Sequence, residues 1–343
     1  MDARVESLRF LALRLSPANL VRLGLIRYGI LPSASLPLSE GFSVTISKTE
    51  FHCVYDILHL FDDGWAIQEL GGGKLRIHSD VGETIMDRGD FLDHPWRAVL
   101  AASGWLFHAG LAERNGFTFH DTDDLYVLHE TFDYEVYKPT GSIAGKVVVD
   151  VGASFGDTAV YFSRLGARVY GFEPVPAVFN RAIENLRLND CEGQVVLVNA
   201  AIGVSTSSEV EVSNSERVDR SAGFSLMRKR QTIPSGSVQS VRVPIRTLAE
   251  VTGSLKVHLL KMDCEGSEYD IILRDYESVR KFEEVIVEWH ESITKIPVGR
   301  LVRRLMNDFT VTVSYGLAIQ PPTLSVRSSS RSDVGMLHAV KAR

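Results

Sequence analysis

Cysteine is scarce in this chain: Cys53, Cys191 and Cys264 are the only three among 343 residues, an odd number without paired spacing. That excludes a disulfide framework and a thiolate zinc site, and it fits a reducing setting, so a cytoplasmic location is expected. Long apolar runs are lacking as well. Arg4, Arg9, Arg14, Arg22 and Arg27 interrupt the N-terminal leucines well before the roughly 20 apolar residues a membrane span needs. No small-residue cleavage site follows a clean apolar core, so neither a transmembrane nor an export segment is expected. Positive charge is not in excess: 37 Lys and Arg stand against 43 Asp and Glu, a formal net charge of -6. A generally basic surface for nucleic acid is therefore not expected. Seven histidines of the first 130 residues (His52, His59, His78, His94, His108, His120, His129) are scattered rather than spaced as metal ligands.

With 45% apolar and 23% charged residues, the chain can bury one large core or two smaller ones. Val5, Leu8, Leu11, Ala12 and Leu15 recur at helical spacing, and Ser16-Pro17 reads as the cap and first turn of a second helix. Two short basic amphipathic helices fit a pair packed on the body or on a partner subunit better than a membrane-surface contact, and their apolar stripes are compatible with a homo-oligomer. Phe42 to Ser47 and Lys74 to His78 alternate as strands, and Gly71, Gly72 and Gly73 mark a turn. Pro95 to Leu106 and the stretch on to Arg114 read as helical, whereas Phe117 to His120 and Leu125 to His129 read as extended. Residues 1–125 are thus expected to form a mixed accessory region, and residues 126–343 a separate domain.

From Lys146 the pattern becomes strand, glycine turn, helix, strand, as in a βαβ sheet. Strands are predicted at Lys146 to Val151, Arg168 to Phe172, Gln194 to Asn199, Val257 to Asp263, Glu284 to Trp289, Thr310 to Tyr315 and Met336 to Lys341. Helices are predicted at Asp157 to Leu165, Pro176 to Leu188, Ser267 to Val279 and Val298 to Met306, with a serine-rich insert at 203–246.

The most informative segment is the turn after the first of these strands. It runs Asp150-Val151-Gly152-Ala153-Ser154-Phe155-Gly156-Asp157, and small residues there let backbone approach a ligand closely. A pyrophosphate-binding turn would read G-x-G-x-x-G; here Ser154 takes the second glycine position and Asp150 would repel phosphate. A carboxylate suits a ligand whose charged parts are an ammonium and a sulfonium, which describes S-adenosyl-L-methionine. Glu173, followed by Pro174, closes the second strand about twenty residues on, where an acid can accept hydrogen bonds from both ribose hydroxyls. Asn199, Ala200 and Ala201 end the third strand where adenine is expected. The cofactor-binding set is therefore Asp150, Gly152, Ala153, Ser154, Gly156, Asp157, Glu173, Pro174, Asn199, Ala200, Ala201 and Asp263.

Asp150 to Gly156, Gly171-Phe172-Glu173-Pro174, Glu184-Asn185 to Asn189, Lys261-Met262-Asp263-Cys264-Glu265-Gly266-Ser267-Glu268 and Glu288-Trp289-His290 follow one another in an order that resembles the FkbM-type methyltransferases. The resemblance covers about residues 130–343, including Glu130-Thr131-Phe132 just upstream. It implies an α/β class I methyltransferase (Rossmann-like) fold, a mostly parallel seven-stranded sheet with an antiparallel last strand, and methyl transfer to a hydroxyl oxygen, with sugar or glycan hydroxyls as the family-level acceptor. Ser154 departs from the asparagine frequent in the family, and Thr247-Leu248-Ala249-Glu250 replaces Thr-Leu-Asp-Asp.

Lys261 and Asp263 share one face of the fourth strand, as Glu288 and His290 do on the fifth, so their side chains are expected to converge beside the methyl donor. His290 is the first candidate for a general base, Asp263 and Glu265 the alternatives, and Lys261 a possible partner for an oxyanion. Asp263, Glu265, Glu288 and His290 could instead hold Mg²⁺ or Mn²⁺, but sequence spacing fixes no coordination sphere and no metal is expected. Two rival functions remain in the sequence: an NAD-dependent dehydrogenase or epimerase, which the glycine pattern disfavours, and a non-catalytic cofactor-binding scaffold.

Overall fold

The computed structural model describes residues 15–27, 30–39, 42–47, 51–62, 64–121, 125–204, 209–214, 239–314 and 334–342. The first amphipathic helix and the middle of the serine-rich insert lie outside these residues. The chain divides into two units, Met1–Arg114 and Asn115–Arg343.

In the first unit the expected second helix spans Pro17–Arg27, and the Ser16 hydroxyl accepts the Asn19 N–H at 3.3 Å as a cap. The helix packs on an antiparallel hairpin, Ser33–Ser39 with Phe42–Ser47. After a helix at Phe51–Asp62 comes an antiparallel sheet of Ala66–Gly71, Lys74–His78 and Glu83–Asp87. Gly71, Gly72 and Gly73 all have positive φ at its first turn. Ile26, Leu36, Phe42, Val44, Ile57, Leu75, Ile77, Phe91 and Val99 make the core. The helix from Pro95 stops at Ala102, and the stretch beyond it corrects the expectation: Leu106–His108 and Leu111–Arg114 form a hairpin. Ala109 and Gly110, both at positive φ, supply the turn.

In the second unit seven strands, β1 (Val147–Val151), β2 (Arg168–Phe172), β3 (Val195–Val198), β4 (Val257–Met262), β5 (Glu284–His290), β6 (Phe309–Val313) and β7 (Val334–Lys341), form one sheet in the order 3-2-1-4-5-7-6. Strands β1 to β5 are parallel neighbours, and β7 runs antiparallel between β5 and β6. This is the class I methyltransferase topology with its reversed last strand. All seven residues of β5 are buried, as a strand covered by helices on both faces requires. Helices α1 (Asp157–Arg164), α2 (Pro176–Leu188) and α3 (Ser267–Arg274) provide three of the crossovers. The core joins Val149, Val151, Leu260, Met262, Val285, Val287 and Trp289 of the sheet to Ile271, Leu301 and Leu305 of the helices.

The helix predicted over Ser267 to Val279 is two helices. Asp275 leaves helical geometry at φ -115°, ψ 39°, and its carboxylate accepts the Ser278 hydroxyl at 2.7 Å, so a second helix starts at Tyr276. Leu125 to His129 is helical rather than extended, running Leu125–Leu128 into a π-helical turn at His129–Asp133. Residues 115–121 side with the second unit through α2: Asn189 takes the Thr118 N–H at 3.0 Å and donates to its carbonyl at 2.6 Å, while Asn185 takes the His120 N–H at 3.3 Å. Within the insert, Gln239–Arg246 pairs parallel with Ala201–Ile202 and antiparallel with Glu209–Asn214.

Candidate active site

The sheet order reverses between β1 and β4, which places a cleft at their carboxyl ends. A cavity of about 210 Å³ lies there. Its floor is set by strand register: Lys261 stands directly opposite Asp150 across the β1–β4 pair, and their side chains meet at 3.1 Å, both fully buried. Thr158 of α1 donates to the other Asp150 oxygen at 2.7 Å, and Lys261 also donates to the Gly152 carbonyl at 2.6 Å. Burial works against the ammonium, but the carboxyls of Asp150, Asp263 and Asp157 outweigh it and raise Lys261 above the ordinary lysine value. Lysine, aspartate and glycine turn are therefore one charged unit under the cavity.

Gly152 has φ +79°, and a Cβ on it would sit 1.8 Å from the Asp263 carbonyl. The turn after β1 and the loop after β4 thus touch through a position only glycine fits. Gly156, at φ +82°, leads into α1 in the same left-handed region. Ser154 lies at φ 44°, where the family's frequent asparagine is the more tolerant residue.

Glu173 extends from β2 into the wall and is pinned by two backbone amides, Ser154 N–H at 3.1 Å and Val175 N–H at 2.8 Å. Burial raises its carboxyl to about 8 in spite of them. Asp157 accepts the Thr131 hydroxyl at 2.6 Å, and burial brings it to about 7. Pro174, Ala200, Ala201 and Ile202 give this wall an apolar patch.

On the β4–β5 side the Tyr137 hydroxyl lies 3.1 Å from Asp263 Oδ2 and 3.0 Å from Glu288 Oε2, and Lys261 sits 5.0 Å above the Tyr137 ring centre. Burial first, and then the charge of Asp263, raise Glu288 to about 8. His290 stands behind them. Its Nδ1 lies 3.1 Å from Glu268 Oε1, the oxygen that also takes the His290 backbone N–H at 3.0 Å. Its Nε2 faces Glu288 Oε1 at 3.6 Å and Asp263 Oδ1 at 4.0 Å. Burial lowers the imidazole, but the bond to Glu268 and the charges of Glu268, Glu265 and Glu288 outweigh it, so His290 is raised well above the ordinary histidine value.

Of the residues singled out in the sequence, Gly152, Ser154, Asp157, Glu173, Pro174, Ala200, Ala201, Lys261, Asp263, Glu265 and Glu288 line the cavity. Asp150 and Ala153 are wholly buried beneath it. Asn199 turns away: its amide donates to the Glu173 and Pro174 carbonyls at 2.9 and 3.0 Å, shaping the turn that carries Glu173. His290 is not in the lining either: it stands behind Asp263 and Glu288 with its Nδ1 tied to Glu268, so it does not itself face an acceptor in the cavity. The Thr247 to Glu250 segment forms a reciprocal helix cap at Leu248–Thr252. Tyr137, Glu130, Thr131 and Tyr126 line the cavity without having been assigned from the sequence. Glu130-Thr131 was visible only as part of the upstream motif, and the π-helical turn, which no apolar spacing reveals, brings both to the cavity.

Residues 150–310 match the family described as the methyltransferase FkbM domain. Over 92 residues the chain is 31% identical to protein arginine N-methyltransferase 6 of Danio rerio, spanning 26% of this chain and only 26% of that protein's length. Among solved structures, a precorrin-6y C5,15-methyltransferase of Geobacter metallireducens is 12% identical with TM-score 0.35, over 61% of this chain and 87% of that one. An rRNA methylase of Streptococcus thermophilus is 9% identical with TM-score 0.36, over 63% and 96%. Turn, acid and motif coincide within residues 150–310, the stretch that matches the methyltransferase FkbM domain.

Proposed function

We propose that the cavity binds S-adenosylmethionine and that the protein moves its methyl group to a hydroxyl oxygen of a sugar, glycan or other small metabolite. The observation that carries this reading is the make-up of the lining: six carboxyl groups, Glu130, Asp157, Glu173, Asp263, Glu265 and Glu288, which a bound cation draws toward their ionised forms, against one ammonium, Lys261, already paired with Asp150. Such a wall repels pyrophosphate and attracts a cationic sulfonium and amine, which also argues against a dinucleotide. Bound there, the donor supplies a methyl on a positively charged sulfur whose charge vanishes on transfer.

The chain's own residues do the rest. Glu173, fixed by two amides, accepts from the ribose hydroxyls, and Ala200, Ala201 and Ile202 offer the adenine a small apolar surface. Asp263 is the carboxylate placed to receive the acceptor's proton: it lines the cavity and its side chain is 31% exposed, against 11% for Glu288. Tyr137 and His290 orient it and balance the surrounding charge. A positioned base of this kind contributes roughly 10²–10⁴-fold. Incubating the protein with labelled donor and cell extract is expected to yield a methyl ether resistant to mild acid and base, and Asp263→Asn is expected to lower turnover by about that factor with donor binding retained. A labelled product methylated only on nitrogen or carbon would defeat the hydroxyl assignment.

A further inference from the structure

Sequence spacing fixed no coordination sphere for Asp263, Glu288 and His290, yet the fold brings one donor atom from each within 4.8 Å of the others. Three observations separate this cluster from an ordinary patch of acids. The first is His290 Nε2. The ring is 7% exposed, and Nε2 points between Glu288 Oε1 at 3.6 Å and Asp263 Oδ1 at 4.0 Å. Both distances are too long for hydrogen bonds. They fall in the range between two ligands of one ion, since bonds of about 2.1 Å put adjacent octahedral donors about 3 Å apart and opposite ones about 4.2 Å apart.

The second is the orientation of the ring. Glu268 is fully buried and takes Nδ1 at 3.1 Å, while its own second oxygen is anchored by the Gly266 N–H at 2.8 Å. A carboxylate on the far nitrogen fixes the tautomer and aims the other lone pair, the arrangement that ligating histidines adopt. The third is Tyr137, whose hydroxyl sits on Asp263 Oδ2 and Glu288 Oε2. It occupies the outer oxygen of each carboxylate and leaves the inner ones, Oδ1 and Oε1, facing the imidazole. Orienting groups therefore surround the cluster, and its three inner atoms face one another.

We infer that Asp263, Glu288 and His290 form a binding site for one divalent cation with two carboxylates and one imidazole, at the cavity wall. Two carboxylates match the charge of a divalent ion, and one imidazole among oxygen donors suits Mn²⁺ better than Mg²⁺. Three protein ligands leave coordination positions for water or a substrate oxygen, and Asp263 places them on the cavity side. A role for the cation in holding a hydroxyl acceptor rests on the function proposed above; its binding does not.

The test uses the full chain, stripped with EDTA and titrated with MnCl2 alone while free Mn²⁺ is followed by electron paramagnetic resonance. Saturable uptake of one Mn²⁺ per chain is expected, with spin-echo modulation from a coordinated ¹⁴N in the unaltered protein. Glu268→Gln, which touches no ion, is expected to weaken uptake by about 10- to 100-fold, and Glu288→Gln by at least as much. No saturable uptake, bound Mn²⁺ without nitrogen coupling, or uptake unaffected by Glu288→Gln in folded protein would each overturn the site. Calorimetry with S-adenosylmethionine on the stripped protein keeps the two proposals apart. Donor uptake without Mn²⁺ uptake defeats the cation alone, and the reverse defeats the donor reading alone.

Discussion

The two sides of the cleft handle buried charge in opposite ways. Beneath the β1 turn, Asp150 has a lysine directly opposite at 3.1 Å and a threonine hydroxyl at 2.7 Å, so its charge is compensated in place. At the ends of β4 and β5, Glu288 has no lysine or arginine as its ion-pair partner among the described residues; it has a tyrosine, an aspartate and an imidazole. The first side is built to keep a fixed geometry, and the second to hold protons or a cation that come and go. One register pairing, Lys261 opposite Asp150, accounts for the difference, because it commits to the floor the only lysine that lines the cavity among the described residues.

The largest effect should come from breaking the compensated side. Lys261→Met leaves Asp150 buried without its cation and is expected to cost about 3–5 kcal/mol of stability, read by urea denaturation; a loss under 1 kcal/mol would mean the pair is not the anchor described here. Gly152→Ala comes next. It forces a Cβ against the Asp263 carbonyl at positive φ, and backbone strain plus overpacking should cost about 2–4 kcal/mol, together with donor binding.

The smallest effect belongs to the uncompensated side and appears as pH dependence. Glu288 is raised from 4.5 to about 8 in the folded protein. Between those values the unfolded chain has released this proton and the folded chain retains it, so stability must fall as pH rises through the window. In metal-free protein, Glu288→Gln is expected to flatten that part of the stability profile, whereas a profile parallel to the parent's would show that Glu288 is ionised throughout.

The same contrast marks what could be read from the sequence. The β1 turn was legible because a Val-rich strand, a glycine and an acid at fixed spacing are all local, and β2 and α2 emerged with their predicted ends. Tyr137 was not legible. It lies in a loop between the π-helical turn and β1, and it reaches Asp263 and Glu288 across 126 and 151 residues of sequence. The short continuous apolar run Leu125-Tyr126-Val127-Leu128 imitates a strand, but Leu125 and Leu128 are both buried on one helical face. His290 illustrates the remaining gap. Its place at the end of β5 followed from the pattern, whereas its tie to Glu268 depends on how α3 packs on that strand.

Donor uptake by isothermal titration calorimetry tests the central claim most directly. One S-adenosylmethionine per chain is expected, with Glu173→Gln weakening it about 10- to 100-fold, the loss of hydrogen bonds to a charged acceptor. Because burial holds Glu173 at about 8 in the free protein and ribose hydroxyls favour its carboxylate, uptake at pH 7 should also release protons, seen as a heat that changes with the buffer's ionisation enthalpy. No uptake, or uptake that Glu173→Gln leaves unchanged, would contradict the account.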